Sequence, residues 1–204
     1  MQTFIALLRG INVSGKNLIK MAPLAEVLTG AGLMNVRTYI QSGNIVFESD
    51  TTDEADHGLL IAENIRKEYI EKAEEYLVYN WPVVKATDYL EFTRSGNRKQ
   101  EVYAACSNAL ISLVMGELAE GKGRFTDQII NAVWYFSEQT WWGWSAHLYF
   151  QKPGPGLPDV NEPTVDLGVG EITNNLSWTL YLFKDEFDKV HPLISQRLKQ
   201  EIKN

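Results

Sequence analysis

The chain has a single cysteine, Cys106, so no internal disulfide can form and no thiolate cluster can hold a metal, a usage typical of a reducing cytosol. Cys106 sits in an apolar run that reads as a strand, where it is expected to be an inert core thiol. Only three histidines occur, His57, His147 and His191, too far apart in sequence to show metal-ligand spacing, and no metal site is expected. No run of about 18 apolar residues is long enough to span a bilayer, and the first residues lack the charged start and small-residue cleavage site of a secretory signal. A soluble, cytoplasmic protein with no membrane partner is the expectation. There is no G-x-S-x-G elbow, no cysteine with a recognisable histidine, and no evident acid-base pair of carboxylates. The net charge of -7 also withholds the broad basic face that nucleic acid requires, so nucleic-acid binding is not expected.

What is present is an ordinary globular composition, 204 residues that are 45% hydrophobic and 22% charged, enough for one domain or two small lobes. The charge is uneven. Residues 1–50 carry Arg9, Lys16, Lys20 and Arg37 against Glu26, Glu48 and Asp50, a balance of +1, so the rest of the chain carries -8. The segment from Leu7 to Lys20 concentrates Gly10, Gly15, Asn12, Asn17, Arg9, Lys16 and Lys20 directly after an apolar strand, and no acid precedes Glu26. Such a loop suits an anion: glycine lets backbone amides approach, and the cations supply charge.

Along the chain, Thr3 to Arg9 reads as a buried strand. Met21, Leu24, Leu28 and Ala31 recur at helical spacing, with Gly30 and Gly32 at the helix end. Val36–Ile40 and Ile45–Phe47 are β-rich runs around Gln41-Ser42-Gly43-Asn44, which is hairpin chemistry. Ile61, Ile65 and Tyr69 mark a helix between about Glu54 and Lys72, and a short strand around Tyr76–Tyr79 would follow. The order β-α-β-β-α-β is that of a ferredoxin-like unit, so the expected class is α+β, with a first lobe over 1–93. The polar string from Arg94 to Gln100 is the expected connection to a second, related α+β lobe over 101–183. That lobe would take strands at Glu101–Cys106, Val133–Phe136 and Ala146–Phe150 and a helix at Ala109–Ala119. Pro153 to Pro163, with four prolines and two glycines, reads as loop whose end caps a short helix. The tail, 184–204, reads as helical through Ile194, Leu198 and Ile202.

Three constellations can carry function. Gly10 to Asn17 is G-x-x-x-x-G-K-N, one residue from a phosphate-binding P-loop. It has Asn17 where a magnesium-binding hydroxyl belongs, and Pro23 places the next helix several residues later, which argues against nucleotide hydrolysis. The second is the hairpin with Arg37, Gln41, Ser42 and Asn44, whose amide and hydroxyl groups either read a polar ligand or simply build the turn. The third is the aromatic segment Trp134-Tyr135-Phe136, Trp141-Trp142-Gly143-Trp144 and Tyr149-Phe150, which suits core packing or a homodimer interface better than base stacking, since cations near it are sparse.

The stretches Leu7 to Asn17, Ile19-Lys20-Met21 and Asn35 to Phe47 resemble the start of a bacterial domain-of-unknown-function family, DUF1697, over residues 1–48. That resemblance implies a compact α+β protein of about this length built from ferredoxin-like pieces, with no assigned activity. In the second half the family's pattern includes Ser-Lys-Leu after a glycine-rich segment and a later Thr-x-Arg-Asn-Trp-x-Thr. Here Gly154-Pro155-Gly156-Leu157-Pro158-Asp159 lacks the lysine, and Thr173 to Trp178 carries Asn174 and Leu176 where the pattern has arginine and tryptophan. Any family site that joins the N-terminal cations to those C-terminal ones has lost part of its charge in this chain.

The leading expectation is a small anionic, phosphate-bearing ligand held by Arg9, Gly10, Asn12, Gly15, Lys16 and Lys20 of the loop and Arg37, Gln41, Ser42 and Asn44 of the hairpin. A homodimer through the tryptophan-rich segment is the alternative, and an enzyme acting on a phosphorylated substrate or nucleotide is a third. The sequence names no cofactor and no reaction.

Overall fold

The computed structural model describes residues 1–8, 19–39, 43–99 and 102–203. The described chain is mixed α and β, with one small antiparallel sheet and several helices. It divides into two compact units, Met1–Glu68 and Tyr69–Asn204, and the division falls inside a helix, upstream of the polar string at 94–100 expected to connect the lobes.

The first unit contains β1 (Gln2–Leu7), α1 (Met21–Gly30), β2 (Met34–Tyr39), β3 (Asn44–Ser49) and the start of α2 (Glu54–Glu74). The sheet order is β1-β3-β2, both pairings antiparallel, so β1 and β2 run parallel on either side of β3. Ile45 and Phe47 of β3 turn to the helix-covered face, where Phe4 stacks on Phe47 at 5.6 Å and both rings flank His57 of α2. His57 Nε2 meets the Thr51 hydroxyl at 2.9 Å. Leu24 and Leu28 of α1 are fully buried, each contributing about 1.5–3 kcal/mol of transfer free energy. Gly32, at φ +102, takes the left-handed conformation that lets the chain leave α1 for β2.

The expected buried strand at Thr3–Arg9 is an edge strand instead. Only its alternate residues Phe4 and Ala6 turn inward, while Ile5 and Leu7 face out. The expected strand at Tyr76–Tyr79 is absent from the described residues: the chain there makes helical-type turns, with Tyr76 N–H on Ala73 and Tyr79 N–H on Tyr76. Those tyrosines pack with Trp81 as core aromatics of the second unit, which a period-two reading cannot distinguish from a strand.

The second unit is helical, which corrects the expectation of a second α+β lobe. It holds the end of α2, then α3 (Ala86–Ser95), α4 (Tyr103–Glu120), α5 (Thr126–Ser137), a 3-10 turn at Ser145–Phe150, α6 (Leu167–Val190) and α7 (Pro192–Lys203). Of the runs expected as strands at 101–106, 133–136 and 146–150, the described residues lie at the start of α4, in α5 and in the 3-10 turn. The physical reason is burial. Tyr103, Cys106, Ala109, Leu110, Leu113 and Val114 of α4 are all interior, so the helix shows no polar stripe to reveal its period. The polar string at 94–100 begins in the last turn of α3, and its described residues lie within the second unit. The helical tail is present, with Ile194 and Leu198 buried.

Two buried contacts pin this bundle. The Glu117 carboxylate accepts the Gly123 and Phe125 amides at 2.5 and 2.9 Å, holding the turn that starts α5. Gly116 lets α4 approach the last turns of α2, because a Cβ there would lie 2.2 Å from the Ala73 Cβ. Gly116→Ala is therefore expected to lower stability by about 1–3 kcal/mol through overpacking, outweighing the ~1 kcal/mol gain in helix propensity. Urea denaturation checks this, and an unchanged midpoint would contradict so close an approach.

Candidate functional site

Of the residues singled out by the sequence, Arg9, Gly10, Asn12, Gly15, Lys16, Gln41 and Ser42 lie outside the described residues, while Lys20, Arg37 and Asn44 are described. Their flanks are informative. The Leu8 amide donates to the Gly43 carbonyl at 3.0 Å, one step beyond the Leu7–Asn44 pair that ends the β1–β3 ladder. Leu8, the last described residue before Arg9, therefore lies beside Gly43, the first described residue after Ser42, immediately before β3. Gly43 adopts φ +83 there, a conformation other residues rarely adopt. β1 and β2 are not neighbours, since β3 lies between them, so the ends of both strands border the start of β3.

Tyr39 closes the β2–β3 pairing against Asn44, so β1, β3 and β2 all terminate at this end. Arg37 is exposed and opposite Val46, and Asn44 is half-buried opposite both Leu7 and Tyr39. Strand alternation puts Arg37, Tyr39, Asn44 and Leu7 on the open face. α1 links the parallel strands β1 and β2 and packs along β2, so it runs back along the sheet and begins towards this end. Lys20 is its exposed N-cap residue. It provides no side-chain cap, and the first turn holds no acid, so the positive end of the helix dipole is uncompensated by side chains there.

Glu48, also on the open face of β3, accepts from Asn35 at 2.7 Å, and the buried thiol and phenols of the second unit serve packing. Cys106 is fully buried in α4, and burial pushes its thiol up, away from the reactive thiolate. The Tyr79 hydroxyl beside it is pushed up to about 12, by burial first and then by Cys106. Tyr89 and Tyr103, joined by hydroxyls 3.1 Å apart, are raised chiefly by burial. These groups stay neutral and serve packing. Trp141 and Trp142 are likewise core residues, at 8% and 9% exposure, while Trp134 lies beneath the Arg197 guanidinium at 5.0 Å. Thus much of the tryptophan-rich segment is used inside the second unit. The Thr173–Trp178 stretch lies on α6, where Asn174, Ser177, Trp178 and Tyr181 line a shallow, open depression of about 360 Å³ without a charged side chain. Among the described residues no cluster has the ligands for a metal.

A feature not anticipated from the sequence is the pairing of His147 with Asp166 at 2.7 Å. Asp166 is almost fully buried and also accepts the Trp144 amide at 2.9 Å and, as N-cap of α6, the Val169 amide at 2.8 Å. An ionised carboxylate only accepts, so His147 donates from Nδ1. The sequence signal was Asp166 after the proline-rich loop, which marks a helix start but not a partner nineteen residues upstream.

The family model described as Protein of unknown function (DUF1697) matches residues 1–114. That is more than half of the chain, and the protein belongs to the DUF1697 family. The matched residues include the three strands and both sequence motifs. A search of curated proteins found no match.

Asp166→Ala removes an N-cap and two further bonds from one buried site, and is expected to reduce stability by at least ~2 kcal/mol. Chemical denaturation measures the loss, and nitrogen NMR of the imidazole should show the proton on Nδ1 in the wild type. A wild-type proton on Nε2, with Asp166→Ala as stable as the parent, would contradict this role.

Proposed function

We propose that this DUF1697 protein binds a small anion of the phosphate-bearing class at the end of the first unit's sheet. The observation that carries the reading is the 3.0 Å bond from the Leu8 amide to the Gly43 carbonyl, which sets the residue two before Gly10 of the cationic segment against a glycine of the hairpin segment. Three further features support it: Lys20 at the start of α1, the absence of an acid in that first turn, and Arg37 on the open face. In this reading Arg9, Lys16 and Lys20 supply charge, Gly10 and Gly15 open backbone amides to the anion, and Asn12, Arg37, Gln41, Ser42 and Asn44 orient it by hydrogen bonds. The reading concerns binding and invokes no reaction.

Thermal-shift measurements against inorganic phosphate, sugar phosphates and nucleotides test it, because a ligand that binds only the native state raises the melting temperature. One phosphate-bearing class is expected to stabilise the wild type. Arg9→Ala and Lys16→Ala are each expected to weaken binding by about 1–3 kcal/mol without loss of fold, the range for hydrogen bonds to charged groups. No shift with any of these compounds, or a shift that survives both substitutions, would overturn the proposal.

A further inference from the structure

The two edges of the sheet differ in kind. β2 is a protected edge: its pairing with β3 is irregular between Met34 and Arg37, Asn35 within that break has a positive φ of 50°, and Arg37 places a charge on it. Bulges and charged side chains are the devices by which natural edge strands avoid further pairing. β1 has none of them. From Gln2 to Leu8 there is no charge, no proline and no register break, and all six residues of β1 pair in uninterrupted register with β3. The Leu8–Gly43 bond fixes the ladder's phase. By antiparallel alternation, Phe4 and Ala6 direct their backbone groups to β3, while Thr3, Ile5 and Leu7 direct theirs to the edge that no other described strand fills. The side chains of Ile5 and Leu7 are 68% and 65% exposed, which is unusual for aliphatic residues next to an open strand edge.

We infer that β1 pairs with β1 of a second copy of this chain, antiparallel about a two-fold axis at Ile5, making a continuous six-stranded sheet across the dimer. In that register Ile5 faces Ile5, and Thr3 faces Leu7 in both directions, so the outward backbone groups of each copy find partners in the other. The second copy is favoured by charge. A two-fold contact sets residue i against j and j against i, and the uncharged β1 brings no like charges directly opposite one another. Its apolar face is complementary to itself: Ile5 and Leu7, with Val46 beside them on β3, extend into the same residues of the partner. Nor do the described residues of the second unit, which are helical or irregular, include a strand that could fill the edge. The contact surface is short, at the small end of specific interfaces, so the dimer is reversible and depends on concentration. It is independent of the anion site and distinct from the tryptophan-rich segment.

Sedimentation equilibrium of the full chain tests the pairing. The wild type is expected to shift from 23.2 kDa towards twice that mass as concentration rises, and Ile5→Lys, which puts a charge against its own image, is expected to remain monomeric with an unchanged far-ultraviolet circular dichroism spectrum. A second variant guards against misfolding of the first. Ile5→Cys should be joined rapidly into a covalent dimer by a short thiol-to-thiol cross-linker, whereas Tyr39→Cys on the other edge should not, and native Cys106 is fully buried. A monomeric wild type at every concentration, or a dimer that persists in Ile5→Lys while Ile5→Cys cross-links no faster than Tyr39→Cys, would overturn the inference.

Discussion

The first unit depends on β3, the strand hydrogen-bonded on both sides. Its register with β1 runs unbroken from Gln2–Ser49 to Leu7–Asn44 and closes with the Leu8–Gly43 bond. Its inward side chains Ile45 and Phe47 form the layer on which the helices rest. A one-residue slip would send these buried side chains to the open face, so burial and hydrogen bonding select the same register. The same register sets where the cationic and hairpin segments begin, which backbone groups of β1 are left at the edge, and which face carries Arg37 and Asn44. The candidate site and the free edge thus follow from one set of strand pairings.

The second unit is organised by a different constraint, the filling of a helical core by aromatic and aliphatic side chains. Tyr103, Phe125, Ile129, Phe136, Leu176 and Phe187 are interior, and several of the polar groups that enter with them are satisfied locally. Trp142 donates to the Phe136 carbonyl, Tyr103 to Gln139, and Glu117 accepts two amides. Asp166 combines a helix cap with a histidine partner. These are devices of stability. Cys106 and the tyrosines around it are held neutral by burial, so the part of the chain richest in aromatic rings offers little chemistry among its described residues.

Much of the first unit was legible in the sequence because its signals are local. Alternation at Val36–Tyr39 and Ile45–Phe47, the turn residues between them, and the 3.6-residue spacing in α1 and α2 each specify one element. Strand order is non-local, which is why the apolar run at Thr3–Arg9 reads as a buried strand although β1 lies at the edge of the sheet. The second half misled for a definite reason. Val133–Phe136 taken alone resembles a strand, but Ile129, Ala132, Val133 and Phe136 together lie on one helical face. Tyr76–Tyr79 failed in the same way, its rings being interior in a turn. For the site, residue type and order identified the segments, whereas the Leu8–Gly43 contact beside them needed the fold. His147 and Asp166 had no mutual signal in the sequence, because each is unremarkable until the loop folds onto the start of α6.

The central proposal, that an anion binds at this end of the first unit's sheet, is tested most directly by following backbone amide resonances during titration with inorganic phosphate and a nucleoside phosphate. The account requires saturable shifts at Leu8, Lys20, Met21, Tyr39, Gly43 and Asn44, with the helices of the second unit unaffected. Shifts confined to the second unit, or none at saturating ligand, would contradict it.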